Sequence, residues 1–324
     1  MKAVLCETWG GPEKLRLASV ALRDPGPGEV KIRVRAAGVN FPDVLMIQKK
    51  YQVQPELPFT PGSEVAGEVM AVGPGVEAFR TGQRVMAYCM LGGFAEQAIA
   101  AAAACFALPE TLDYPAGASV LLAYGTSWYA LRDRAALRRG ETLLVLGAAG
   151  GVGLAAVDIG KAFGARVIAA ASSGEKLAVC RQHGAAALIN YRTENLREAI
   201  ARLTERRGPD VIYDPVGGAT TEQAFRSIAW RGRHLVVGFA EGSIPALPMN
   251  LPLLKGASVV GVFWGEHMKR EKQLYRDETE DLLARLAGGE LRPLVSRSYP
   301  LDQAPQALAD MAGRKVVGKI VVVP

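Results

Sequence analysis

The sequence predicts an α/β protein in which a doubly wound parallel sheet is joined to a mostly β region that precedes it. The first observation behind this is residues 143–153, LLVLGAAGGVG, where an apolar strand runs into a glycine-rich turn and a helix-like stretch follows over 154–163. The second is the alternation, from about Tyr124, of short apolar runs with helical periodicities, the rhythm of βαβ units. The third is the earlier part of the chain, rich in glycine, proline and short alternating runs.

The elements follow in chain order. Residues 30–37, VKIRVRAA, alternate charged and apolar side chains as a half-buried strand does. Strands over 65–72, 84–90 and 94–99 continue the pattern, punctuated by Gly73-Pro74-Gly75 and Leu91-Gly92-Gly93. Further strands are expected over 142–146, 166–170, 187–189, 211–213, 234–237 and 258–262, with helices over 175–183, 196–204 and 220–228 between them. A helix over 303–311 and a final strand over 319–323 are expected to return to the first domain. The expected division is therefore a first domain over 1–123, a nucleotide-binding domain over 124–262, and a return to the first over 263–324.

At 324 residues and 49% hydrophobic content, the chain can build two full cores. It opens Met1-Lys2-Ala3-Val4-Leu5-Cys6 without a signal-peptide pattern, and its longest small-apolar run, 98–108, is about half a bilayer span. A soluble, cytoplasmic protein is expected. Cys6, Cys89, Cys105 and Cys180 lie far apart with no CxxC pair, so they read as small hydrophobes rather than as a zinc knuckle or a redox dithiol. The net charge of +6 sits mainly in mixed-charge stretches such as 197–207 and 269–276, which read as solvated faces. With no aromatic RNA-binding motif and no dense basic stripe, nucleic-acid binding is the least favoured class.

The glycine turn brings bare backbone N–H groups and a helix N-terminus to a phosphate, which singles out Ala149, Gly150, Gly151 and Val152 as cofactor-binding. Gly150 lacks the Cβ that would hold a pyrophosphate away, and Gly153 allows close helix packing. Ala148 takes the first place of the usual three-glycine fingerprint. The next strand ends at Ala171, where an NAD site carries an acid for the ribose 2′-hydroxyl. Ser172-Ser173-Gly174-Glu175-Lys176 follow instead. Two hydroxyls and a lysine suit a 2′-phosphate, so NADP(H) is favoured over NAD(H); the alternative is an ordinary βα loop with a solvated lysine.

These motifs, in order, resemble the zinc-independent quinone oxidoreductases, the zeta-crystallin-like group of the medium-chain dehydrogenase/reductase superfamily. The resemblance runs nearly end to end, through AGVNFPD at 37–43, PGSEVAG at 61–67, GFAE at 93–96, the 148–153 turn, INYR at 189–192, YDPVGG at 213–218 and GKIV at 318–321. It implies a GroES-like catalytic domain, a Rossmann domain, an active-site cleft between them and a homodimer formed through the strand at 258–262. Zinc-dependent members hold their metal with a Cys and a His at positions matching Asn40 and Ser63, and a third ligand near Leu122. Amide, hydroxyl and aliphatic groups do not replace thiolate and imidazole, so no metal is expected.

The activity implied is hydride transfer from NADPH to a quinone. Leu45 stands where many members have a second cleft tyrosine, which allows a conjugated carbonyl, such as a 2-alkenal or an enoyl thioester, as the alternative acceptor. By resemblance, Asn40 and Tyr51 are the catalytic residues of the cleft, and Thr126 lies near the nicotinamide. Lys176 and Tyr191 meet the adenosine phosphate, joined by Ser172 and Ser173. Gly238, Phe239 and Phe263 follow the fifth and sixth strands, where strand carboxyl ends face a ligand. Read without the resemblance, Asn40 is a turn-stabilising amide, Tyr51 a half-buried surface aromatic, Asp214 a turn cap and Asp43 a structural hydrogen-bond partner. His183, His234 and His267 read as surface or packing residues.

Overall fold

The computed structural model describes residues 1–324. Its contacts separate into two compact units, Met1–Leu122 with Pro293–Pro324, and Ala123–Arg292.

The first unit opens with the antiparallel pair β1 (Lys2–Leu5) and β2 (Arg16–Ser19). The long strand β3 (Glu29–Gly38) runs into a short helix α1 (Phe41–Ile47), and β4 (Glu64–Val72), β5 (Arg84–Tyr88), β6 (Gln97–Ala101), β7 (Cys105–Ala107) and the short α2 (Tyr114–Gly117) follow. β3 organises the sheet: its first half pairs with β6, its whole length with β4, and its last residues with the C-terminal strand described below. Alternate residues of β3, from Val30 through Val34, face a core shared with Val65, Val85, Phe94 and Ile47.

The second unit is a parallel α/β layer. Helix α3 (Ala123–Trp128) leads through a π-helical turn at Tyr129–Arg134 to β8 (Thr142–Leu146). Then come α4 (Gly151–Ala162), β9 (Arg166–Ala171), α5 (Gly174–Gln182), β10 (Ala187–Asn190), α6 (Leu196–Leu203), β11 (Val211–Asp214), α7 (Gly218–Arg226), β12 (Arg233–Val236), α8 (Asn250–Lys255), β13 (Ser258–Gly261), α9 (Trp264–Arg270) and α10 (Lys272–Ala287). The strands lie in the order β10-β9-β8-β11-β12-β13, all parallel. β8 is buried along its whole length, as a central strand covered on both faces must be. The order reverses on either side of β8, which places the topological switch point at its carboxyl end.

The chain closes in the first unit with β14 (Val295–Pro300), α11 (Ala304–Ala312) and β15 (Lys319–Val323). β15 pairs parallel with β14 and antiparallel with the end of β3. The expected return at residue 263 is corrected to Pro293. Helices α9 and α10 stay with the parallel unit because their aromatic residues pack there. Trp264 lies against Gly125 and meets Tyr275 edge-on at 5.9 Å, and His267 stacks on Tyr129 with centroids 4.1 Å apart. The strand expected from residue 94 begins at Gln97; Phe94 is instead fully buried, its carbonyl accepting from the Val4 N–H.

Candidate functional site

In the parallel unit, the glycine turn sits at the switch point. Gly147, with φ of +57°, turns the chain out of β8, and Gly150 caps the head of α4 in extended geometry. A Cβ on Gly153 would lie 2.3 Å from the Gly147 carbonyl oxygen, so only glycine lets α4 begin this close to the turn. A Cβ on Gly150 would meet nothing nearer than 3.5 Å, which leaves the approach to the helix N-terminus open. The first-turn N–H groups of a helix have no intrahelical acceptor, and here they face that approach. The helix starts at Gly151 rather than Leu154 because the glycines themselves form its first turn.

Ser127 ties α3 to this head: its hydroxyl lies 2.8 Å from the Val152 carbonyl oxygen and 2.8 Å from the Tyr213 hydroxyl. Its neighbour Thr126 is half-buried on the same helix. β9 ends at Ala171 opposite Asn190 of β10, and the Tyr191 N–H donates to the Ala171 carbonyl. The strand ends therefore bring Ser172, Ser173 and Tyr191 together. Ser173 is the N-cap of α5, its hydroxyl accepting from the Lys176 N–H at 3.3 Å, so its oxygen has a structural task beside any ligand. Arg192 is exposed in the turn that follows β10.

Gly238 and Phe239 follow β12, and Phe263 follows β13 as the N-cap of α9; both phenylalanines are exposed. Phe239 lies over Gly217, where a Cβ would come within 2.9 Å of its ring. Asp214 is a turn cap. It accepts from the N–H groups of Val216 and Gly217, from the Thr221 hydroxyl at 2.6 Å and from His234 Nε2 at 3.1 Å. Burial alone would raise its carboxyl, but those hydrogen bonds together hold it below the usual range.

The other histidines also pair with carboxylates, of which Asp158 and Glu278 are buried and Glu271 is exposed. His183 holds Asp158 at 2.8 Å, and His267 lies between Glu271 at 2.7 Å and Glu278 at 3.1 Å. None of the three is a surface residue. Asp158 also accepts from the Tyr124 hydroxyl at 2.6 Å and the Arg292 N–H at 3.2 Å, and burial with this carboxylate pushes the Tyr124 phenol well up.

In the first unit, Asn40 is the N-cap of α1 and forms a capping box with Asp43. The reciprocal contact comes from Asp43, whose Oδ2 accepts from the Asn40 N–H at 2.8 Å. The Asn40 amide points into a buried network. Its Nδ2 donates to Glu64 Oε1 at 2.9 Å, with longer contacts to the Gly38 carbonyl at 3.4 Å and Ser63 Oγ at 3.5 Å. Its Oδ1 accepts from Lys319 Nζ at 2.5 Å, and that ammonium also donates to Glu64 Oε1 at 2.8 Å and the Val39 carbonyl at 3.1 Å. Glu64 Oε2 takes the Leu122 N–H at 3.0 Å. Lys319 is 4% exposed and Glu64 1%, so both charges are satisfied within the protein. Sequence reasoning missed this pair. The available signal was a lysine opening an otherwise apolar strand, KIVVV, and a glutamate inside the PGSEVAG run.

Asp43 is fully buried, and its Oδ1 has no hydrogen-bond partner. Burial raises its carboxyl to about 7 against the opposing pull of the Asn40 N–H and Lys319. Tyr51, half-buried against the core, has its phenol pushed up by burial and by the charge of Asp43. Leu45 is half-buried on α1. No three His, Cys, Asp or Glu side chains gather as a metal-binding group, and no helix is long and apolar enough to cross a membrane.

The family pattern of the alcohol dehydrogenase GroES-like domain matches residues 26–110, and that of the zinc-binding dehydrogenase matches 151–285. A quinone oxidoreductase-like protein 2 homolog of Nematostella vectensis is 39% identical, across 99% of this chain and 88% of that protein. The human quinone oxidoreductase is 35% identical, across 99% and 97%. The crystal structure of Escherichia coli quinone oxidoreductase complexed with NADPH is 28% identical, superposes with a TM-score of 0.94 and is covered end to end. Two matched domains in order, and full-length identity to quinone oxidoreductases, place the chain in the zinc-independent quinone oxidoreductase family of the medium-chain dehydrogenases and reductases.

Proposed function

We propose that the protein is an NADPH-dependent oxidoreductase that reduces a quinone to its hydroquinone, taking up one proton from solvent. The observation that carries this reading is the corner at the ends of β9 and β10. There Ala171 stands in place of the acid of an NAD site, Ser172, Ser173 and Lys176 follow it into α5, and Tyr191 at the end of the neighbouring β10 donates its N–H to the Ala171 carbonyl. Bound NADPH supplies the hydride. Gly150, Gly151 and Val152, with Ala149, cradle the pyrophosphate at the head of α4. Thr126, Gly238, Phe239 and Phe263 orient the nicotinamide half and exclude water from it. Asn40 and Tyr51 serve the acceptor, as donors to the oxygen on which negative charge develops.

Half-buried, apolar Leu45 favours a second reading in which the acceptor is a conjugated carbonyl. Rates with NADPH on 1,4-benzoquinone, a 2-alkenal and crotonyl-CoA separate the two; kcat/KM is expected to be highest for the quinone, and a preference for the alkenal or thioester would overturn that choice. Lys176→Ala is expected to weaken NADPH binding by about 1–3 kcal/mol through loss of a charge-assisted phosphate contact, with NADH nearly unchanged. Isothermal titration with both cofactors checks this, and equal weakening of the two would contradict the 2′-phosphate assignment.

The reading extends to a homodimer. β13 is the open edge of the parallel sheet, with Val259 49% exposed, and Trp230, Met249, Leu253 and Leu254 are exposed large apolar residues. A second copy pairing at this edge would satisfy the free backbone groups of β13. Light scattering is expected to give twice the chain mass for the wild type and the monomer mass for Val259→Lys; a monomeric wild type would contradict it. Free thiols throughout fit a reducing cytoplasm.

A further inference from the structure

We infer that Lys319 is a positioning residue for the reductase: held by Glu64, its ammonium fixes the Asn40 amide with one N–H ready to donate to the acceptor oxygen. The inference rests on the proposed quinone reduction and adds to it a residue from the far end of the chain.

The network leaves the amide one orientation. An ammonium 2.5 Å from one end of the Asn40 side chain must face the oxygen, and a carboxylate 2.9 Å from the other must face the nitrogen. Turning the amide over would set its N–H2 against the ammonium and its oxygen against Glu64. The three donors of Lys319 are all used, on Asn40, Glu64 and Val39, so the ammonium has no other geometry to adopt.

The two hydrogens of Asn40 Nδ2 are then unequal. One is committed to Glu64 at 2.9 Å; the other has only the 3.4 Å and 3.5 Å contacts to Gly38 and Ser63, which are weak at that length. This second N–H can move to a better acceptor at little cost. The ammonium on the amide oxygen draws electron density toward itself, which makes that N–H a stronger donor in a low-dielectric setting. A preorganised donor gains most where negative charge appears during the reaction, so the effect falls on kcat more than on binding.

Stability alone does not account for this arrangement. A buried ion pair is weak support for a fold, and an apolar pair of similar volume often serves as well. What an apolar pair would not do is set the amide.

The test uses two variants of the full-length protein. Glu64→Gln/Lys319→Met removes both charges together, so that neither is left buried and unpaired. Lys319→Gln keeps donors for Glu64 and Val39 but carries no charge. For each folded variant, NADPH affinity and KM for 1,4-benzoquinone are expected to stay within about twofold of the wild type while kcat falls about tenfold. The primary isotope effect with NADPH deuterated at the transferred position should rise, because hydride transfer becomes more fully rate-limiting. An unchanged kcat and isotope effect in either folded variant would overturn the inference. So would loss of fold in both, which would assign the network to folding. A wild type that reduces no quinone would instead remove the underlying reading, and the inference with it.

Discussion

Gly153→Ala is expected to destabilise the protein by about 2–3 kcal/mol and to weaken NADPH binding about tenfold or more. The added Cβ would stand 2.3 Å from the Gly147 carbonyl oxygen and 2.9 Å from the Ala148 Cα. Both are backbone atoms of a turn set by Gly147 at positive φ, so neither can swing aside. The head of α4 has to move off the end of β8, and the N–H groups that face the phosphate move with it. Gly150→Ala gives the matched contrast. Gly150 has φ of −78°, which alanine adopts without strain, and its nearest neighbour would be 3.5 Å away. That variant should melt close to the wild type yet bind NADPH about tenfold more weakly, because the methyl group stands where the pyrophosphate approaches. Thermal unfolding and NADPH fluorescence titration on the two variants read both quantities. Wild-type melting of Gly153→Ala, or wild-type affinity of Gly150→Ala, would contradict the geometry assigned to the turn.

The second large effect concerns Asp43 and pH. Its carboxyl is raised from 3.8 to about 7 in the folded protein, first by burial. The folded state therefore keeps a proton that the unfolded chain releases as pH rises past 4. The stability contributed by this group is fully present below about pH 4, is lost progressively up to about pH 7 and is constant above it. A shift of that size corresponds to at most about 4 kcal/mol. Asp43→Asn removes the ionisation, while its side-chain carbonyl can still accept from the Asn40 N–H. The difference in urea midpoint, variant minus wild type, should grow between pH 4 and pH 7 in favour of the variant. Parallel pH profiles would show that Asp43 ionises in the folded protein as it does in the unfolded chain.

The parallel unit was legible because its signals are local. A strand, a glycine turn and a helix within about twenty residues fix each other, and every strand expected in this unit lies within a residue or so of its observed bounds. The helix at 272–287 was less legible, since its mixed charges read only as a solvated stretch although Tyr275, Leu282 and Leu286 face a core. The return to the first unit was misplaced for a related reason: the packing of Trp264 and His267 on residues near 125–129 depends on partners far away in sequence.

The same holds at the candidate site. Asn40 stood out from its motif, but its partners Glu64 and Lys319 lie 24 and 279 residues away, and no periodicity joins them. Ser173 illustrates the opposite case. Two hydroxyls and a lysine in place of the acid suggested a ligand, and the local geometry adds a helix cap that the Ser173 hydroxyl supplies.

The proposed reaction is oxidation of NADPH, selected by its 2′-phosphate, with a quinone as the acceptor. Steady-state turnover of 1,4-benzoquinone with NADPH and with NADH, on the wild type and Lys176→Ala, is the decisive measurement. The kcat/KM for NADPH is expected to be about tenfold or more above that for NADH, with a ratio that collapses toward one in the variant. Oxidation of NADPH no faster than the uncatalysed rate, or equal use of the two cofactors by the wild type, would contradict it.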